Sequence, residues 1–144
     1  LEGGSGRAMK AVYWDASAVV SILVRDRFTG QAQRALRRKD VHLLSSLAMA
    51  EVDAVIARMA REKHITARQA GSAADTIREG VWQLVWSHPA SADLARLSRE
   101  HPLRGADLWH LANALGLRDE LSDVVMLSFD ERLASAARAE GRGV

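Results

Sequence analysis

The chain has 144 residues, 48% of them hydrophobic and 26% charged, enough for one compact domain with its own core. It contains no cysteine, which excludes disulfides and thiolate metal sites and fits a reducing, cytoplasmic setting; no apolar run approaches the ~18 residues of a membrane span, and no segment has the charged start and apolar core of a secretory signal. A formal charge of +2 is too small to announce a nucleic-acid binder by itself.

In chain order, Leu1-Glu2-Gly3-Gly4-Ser5-Gly6-Arg7-Ala8 reads as an expression scar ahead of Met9 and is set aside, leaving residues 9–144 as a single domain. The apolar run at 9–14 predicts a first strand that ends on Asp15, followed by Ala16-Ser17 and a helix over 16–24. A basic helix over 29–39 leads to a second strand at 41–45, and helices over 46–62 and 66–79 lead to a third at 81–86. His88-Pro89 and His101-Pro102 punctuate the chain beyond the third strand, because the residue before proline resists helical backbone; between and after them helices are predicted over 90–100 and 105–117. A fourth strand at 123–128 runs into Asp130 and a helix over 130–140, and a short last strand is expected to begin at Gly141. Strands alternating with helices predict an α/β fold with a mainly parallel sheet.

Four acidic residues stand out. Asp15 follows a continuous apolar strand of the kind found at the centre of a parallel sheet, and Asp130 repeats that strand-to-helix placement. Glu51 has apolar neighbours at Leu47, Ala48, Val52 and Val55 and so interrupts the buried stripe of its helix, whereas Asp53 projects away from it. A carboxylate on an apolar face must be protonated, paired or coordinated; an arginine partner would account for Glu51 taken alone. Asp107 lies in the first turn of its helix, where the helix dipole favours an acid and Gly105 offers a neutral cap. Ser128 and Glu131 have the spacing of a capping box around Asp130. Each aspartate alone has a structural explanation, but acids at the carboxyl ends of strands converge on the crevice where such sheets bind ligands. Hard oxygens gathered there favour Mg²⁺ or Mn²⁺.

Other chemistries lack support. The five histidines, His42, His64, His88, His101 and His110, show no zinc spacing, no glycine-rich phosphate loop follows a strand, and no Gly-x-Ser-x-Gly elbow is present. Only Lys10, Lys39 and Lys63 among the 20 basic residues are lysines. Arg25, Arg27, Arg34, Arg37, Arg38 and Lys39 form one basic cluster and Arg58, Arg61, Lys63 and Arg68 another, which suits either a solvated helix face or an anionic substrate. Trp14, Trp82, Trp86 and Trp109 read as core residues rather than base-stacking ones.

Asp15-x-Ser17 after the first strand, Glu51 inside an apolar helical face, Arg104-Gly105-Ala106-Asp107-Leu108-Trp109-His110-Leu111-Ala112 and Ser128-Phe129-Asp130-Glu131-Arg132-Leu133 together resemble the PIN-domain ribonucleases. Within that family the short single-domain layout is similar to the VapC toxins of bacterial toxin–antitoxin pairs, from about Met9 to Gly141. The resemblance implies a three-layer PIN-like fold with four to five strands flanked by helices. It places Asp15, Glu51, Asp107 and Asp130 on the family's metal-binding, catalytic acidic quartet and Ser17 and Ser128 on its supporting hydroxyl positions. His110 matches a position commonly held by histidine and is read as packing or support rather than as a ligand. The implied activity is Mg²⁺- or Mn²⁺-dependent endoribonuclease action with one or two ions, an RNA substrate, a VapB-type antitoxin partner and a toxin homodimer. A docking rim is expected around Val20, Leu23, Val24 and Met59. The alternatives are a PIN-like module that binds RNA or protein without cleaving, and a phosphoaspartate-type phosphatase or switch; the latter wants a second aspartate where Ser17 stands.

Overall fold

The computed structural model describes residues 10–118, 120–121 and 123–144; the leader at 1–8 lies outside them. Four strands, β1 (Ala11–Trp14), β2 (Val41–Ser45), β3 (Gln83–Val85) and β4 (Val124–Leu127), form one sheet in the order β3-β2-β1-β4. Every pairing is parallel, with Tyr13 opposite both Leu43 and Met126. Among the described residues seven helices lie between and after them: α1 (Ala16–Leu23), α2 (Thr29–Leu36), α3 (Ser46–Arg61), α4 (Ala67–Glu79), α5 (Ser91–Glu100), α6 (Gly105–Leu117) and α7 (Glu131–Ala139).

Strand pleat sorts the apolar residues into two layers, since successive side chains point to opposite faces. Val12, Trp14 and Leu44 face one side, where Val19 of α1, Val52 and Ile56 of α3 and Trp82 join them. Ala11, Tyr13 and Leu43 face the other and pack with Leu97 of α5, Leu111 of α6 and Leu133 of α7. A sheet with helices on both faces is therefore the three-layer α/β arrangement expected from alternation.

The elements follow the sequence pattern, with instructive departures. β3 is only three residues long because it lies at the sheet edge and pairs through Leu43, Leu44 and Ser45 alone; Val81, Leu84 and Trp86 remain exposed, Trp86 by 75%. Trp14 and Trp82 are core residues as anticipated, whereas Trp86 is exposed and Trp109 is only partly buried and belongs to neither core cluster. α2 stops at Leu36 rather than 39, because Arg37, Arg38 and Lys39 give a further turn nothing to bury. The last strand amounts to one bridge, Gly143 beside Met126, with Met126 N–H donating to Arg142 O at 2.7 Å. Glycine is required at 143, since a Cβ there would collide with Arg138 Cγ and stand 3.0 Å from its Cα. No helix among the described residues is long and apolar enough to cross a membrane.

β1 runs on one side to β2 and β3 and on the other to β4, so the strand order reverses between β1 and β4. Ligands of open parallel sheets bind outside the carboxyl ends of the strands at such a reversal. Asp15 and Ser128 occupy those two ends.

Candidate active site

Asp15 is 4% exposed and serves as the N-cap of α1. Its Oδ1 accepts hydrogen bonds from Ser17 Oγ at 2.7 Å and Ala18 N–H at 3.0 Å, and its Oδ2 accepts one from Ser128 Oγ at 2.6 Å. The two serines cross-link the junctions that carry them. Phe129 N–H donates to Ser17 Oγ at 3.0 Å, and Asp130 N–H donates to Ser128 Oγ at 3.1 Å. A hydroxyl both donates and accepts, so each serine ties the β1–α1 turn to the β4–α7 turn.

The capping-box reading of Ser128 and Glu131 is corrected by this geometry. Asp130 is itself the N-cap of α7, its Oδ1 accepting from Arg132 N–H at 3.0 Å and Leu133 N–H at 3.1 Å. Ser128 lies two residues ahead of that cap: its Oγ accepts from Asp130 N–H rather than from Glu131 N–H, and its proton goes to Asp15. Gly105 likewise is not the cap of α6: Arg104 is, without a side-chain bond.

Asp107 lies in the first turn of α6, partly buried. Burial raises the pKa of its carboxyl above the ordinary value, and the negative charges of Asp130 and Glu51 push it the same way against Arg104 and His110. Those couplings put Asp107 in the company of the other acids. Asp15 is also raised, by desolvation, although the donors Ser128, Ser17 and Ala18 pull it back.

Glu51 is partnered, and by a histidine rather than an arginine. Its Oε1 lies 2.5 Å from His110 Nε2; the pair joins α3 to α6 across 59 residues of sequence. His110 is 1% exposed, and its Nδ1 lies 2.8 Å from Tyr13 Oη. Burial pushes the Tyr13 phenol up to about 12. Asp53 is exposed, as its place off the stripe requires.

A groove at this end of the sheet is lined by Ser17, Val20, Asp26, Phe28, Phe129 and Asp130. Asp26, which sequence patterning does not single out, accepts from Ser21 Oγ at 2.7 Å and Phe28 N–H at 2.8 Å and shapes the α1–α2 turn. The rings of Phe28 and Phe129 stack at 4.6 Å and 4°, with the Arg27 guanidinium 4.7 Å from the Phe28 centroid. Val20, Leu23, Val24 and Met59, the expected docking rim, are partly buried against the core, so the face they offer is narrower than the helix pattern suggests.

The chemistry of the set suits a hard divalent cation: the donors are carboxylate oxygens, and Asp15 and Asp107 are both raised, first of all by burial. Among the described residues no three His, Asp or Glu side chains stand close enough together to hold an ion between them as arranged. The fit lies in donor type and charge.

Known proteins resemble the chain along most of its length. The PIN domain family profile matches residues 12–139. Ribonuclease VapC45 of Mycobacterium tuberculosis (strain CDC 1551 / Oshkosh) is 34% identical over 141 aligned residues, covering 92% of this chain and 93% of that one. Among solved structures, VapC20 of Mycobacterium tuberculosis, described as a sarcin-ricin loop cleaving toxin, superposes with a TM-score of 0.59 at 19% identity over 87% of this chain and 94% of its own. VapBC2 of Rickettsia felis, solved bound to a DNA fragment from their promoter, gives 0.62 at 13% identity over 88% and 92%. At those identities the two structures speak for the fold alone.

Proposed function

The chain belongs to the PIN domain family and, within it, to the VapC ribonucleases, and from that premise we propose that it is a divalent-metal-dependent endoribonuclease, the toxin of a toxin–antitoxin pair, whose site is the acidic crevice between β1 and β4. The observation that carries the reading is the placement of its carboxylates: Asp15 is buried at the end of β1 with Ser17 and Ser128 on its two oxygens, and Asp130 caps α7 with its own N–H on Ser128 Oγ, at the place in the sheet where ligands bind.

Asp15, Glu51, Asp107 and Asp130 are the residues assigned to hold Mg²⁺ or Mn²⁺. When bound, one or two such ions lower the pKa of water and offset charge on the scissile phosphate. The chain's own contribution is placement. Ser17 and Ser128 fix both oxygens of Asp15, and the α7 cap fixes Oδ1 of Asp130, so these carboxylates are held before substrate arrives, which avoids reorganisation during the reaction. Arg27 and the Phe28–Phe129 pair beside the groove supply a cation and ring faces suited to an unpaired RNA strand.

The partners in this reading are an RNA substrate, a VapB-type antitoxin and a second copy of the toxin, and the setting is the cytoplasm. The test is incubation of the pure protein with Mn²⁺ and a panel of structured RNAs, with chelator and Asp15→Asn as controls. Discrete cleavage products that both controls abolish are expected. Binding of RNA without cleavage at any Mn²⁺ concentration would replace this reading with a non-cleaving module.

A further inference from the structure

The layer between β1 and α6 is apolar except for one string of polar groups. Ser87 Oγ, in the β3–α5 connection, donates to Asn113 Oδ1 at 2.9 Å, and Asn113 Nδ2 donates to Tyr13 Oη at 3.3 Å. Tyr13 Oη meets His110 Nδ1 at 2.8 Å, and His110 Nε2 meets Glu51 Oε1 at 2.5 Å. Tyr13, His110 and Asn113 are 0%, 1% and 1% exposed. Buried polar groups carry a desolvation cost that apolar residues of similar size would avoid, so a string of them needs a reason beyond packing.

Its polarity supplies one. Taking the carboxylate oxygen Oε1 of Glu51 as the acceptor assigns the proton of this contact to Nε2 of His110. The opposite nitrogen is then placed to take the Tyr13 hydroxyl, and the Asn113 amide points the same way. Every donor leads from Ser87 toward Glu51, an arrangement in which successive hydrogen bonds polarise one another. The string therefore ends on one oxygen of a flexible side chain in the acidic crevice, and leaves Oε2 of Glu51 for whatever binds there.

We infer that His110, held by Tyr13 and Asn113, is the positioning residue of Glu51: it pins Oε1 so that the carboxylate meets the site in a single orientation. The inference rests on Glu51 belonging to the proposed nuclease site. Groups that orient a working carboxylate in this way typically matter by ~10–100-fold.

A double-mutant cycle tests it, with RNA cleavage in Mn²⁺ as one readout and melting temperature as the other. His110→Leu is expected to lower kcat about 10- to 100-fold with little change in KM, and His110→Gln, which keeps an N–H donor, to recover most of the loss. In a Glu51→Gln background the same His110→Leu change is expected to cost less than about 3-fold, because the interaction it removes is already weakened. If His110→Leu does not fold, Tyr13→Phe takes its place in the cycle. Equal losses for His110→Gln and His110→Leu at equal melting temperature, or additive losses in the double mutant, would overturn the assignment. A second arm needs no activity. A low-field imidazole N–H resonance assigned to His110 Nε2, protected from exchange in the wild type and lost in Glu51→Ala, is expected; its absence from the wild type overturns the pairing. A wild type that cleaves no RNA yet shows this resonance would defeat the nuclease reading while leaving the pairing in place.

Discussion

Ser128 Oγ donates a 2.6 Å hydrogen bond to Asp15 Oδ2, joining the ends of β4 and β1 across 113 residues of sequence. The same hydroxyl accepts from Asp130 N–H, so one small side chain sets the spacing between two of the proposed catalytic acids. Ser128→Ala is expected to reduce cleavage by about 10-fold, the lower end for loss of a group that orients a ligand. Because Ser128 is the leading influence holding the Asp15 pKa down against burial, the variant raises that pKa further. Ser128→Thr keeps the hydroxyl and is expected to stay within a few-fold of wild type. Cleavage rates of the two variants at one Mn²⁺ concentration check this; equal rates would show that the hydroxyl is not used.

That bond also marks where sequence reasoning stopped. The strands, helices and four acids follow from local patterns: alternation of elements, an apolar run ending on Asp15, and Glu51 breaking a buried stripe. Ser128, three residues before Glu131, has a capping spacing, and local pattern cannot say that Asp130 is the cap and that the Ser128 hydroxyl reaches a carboxylate on another strand. The Glu51–His110 pair is invisible for the same reason. Glu51 announces that it needs a partner, and His110 stands one helical turn from Asp107, but α3 and α6 lie on opposite faces of the sheet, and only the folded sheet brings the two side chains together. The short β3 is likewise a consequence of edge position, which depends on strand order rather than on the apolar run at 81–86.

Burial, followed by the charge of Asp130, raises the carboxyl of Asp107 above its ordinary value. A carboxyl whose folded-state pKa lies above its unfolded value binds its proton more tightly when folded. Its contribution therefore favours folding at low pH and turns against it as pH rises from the unfolded value through the raised one. Asp107→Asn is expected to lose cleavage by at least about 100-fold while the metal-free protein melts no lower, and somewhat higher, than wild type at neutral pH. Asp53→Asn, off the site on the exposed face of α3, is expected to change neither. Melting of the three proteins in chelator at acid and neutral pH checks the sign: a lower melting temperature for Asp107→Asn at neutral pH would mean that Asp107 is compensated after all.

A cation that binds the folded chain stabilises it by mass action. With free Mn²⁺ at 100 times its dissociation constant the gain is about 2.7 kcal/mol, or roughly 5 °C and upward in a domain of this size. Chelator is expected to reverse the shift, and Asp15→Asn to abolish it. Calorimetry that finds no heat of binding with either Mg²⁺ or Mn²⁺, and melting that does not move, would remove the metal from the proposed mechanism.

Under the proposed toxin reading, the activity of the chain requires restraint by an antitoxin partner. Expression of the chain alone is expected to arrest bacterial growth, co-expression with the neighbouring small reading frame to relieve the arrest, and Asp107→Asn to be harmless without it. Colony counts under induction decide the matter. Arrest by Asp107→Asn equal to that of wild type would separate toxicity from the acidic crevice.

Away from the site, Glu140 at the carboxyl end of α7 binds the end of α5: His101 Nε2 lies 2.8 Å from its Oε2 and Arg96 Nη2 donates to its Oε1 at 3.2 Å. The His101 hydrogen bond, followed by Arg96, holds the Glu140 carboxyl below its ordinary value of 4.5. For a carboxyl depressed on folding, the stabilisation is fully present above the unfolded pKa and is lost as pH falls through the lowered folded one. Glu140→Gln is therefore expected to destabilise the protein at neutral pH by about 0.5–1 kcal/mol, a modest figure because Arg96 is largely solvated, which corresponds to roughly 2–4 °C in melting temperature. The difference from wild type is expected to shrink as pH drops below the ordinary carboxylate range and to vanish once Glu140 is protonated in both states. Cleavage at neutral pH is expected to be unchanged at temperatures well below melting, since this joint lies on the α5–α7 side of the sheet and touches none of the four acids. A melting difference that persists undiminished in strong acid would show that Glu140 contributes by packing and not through its charge.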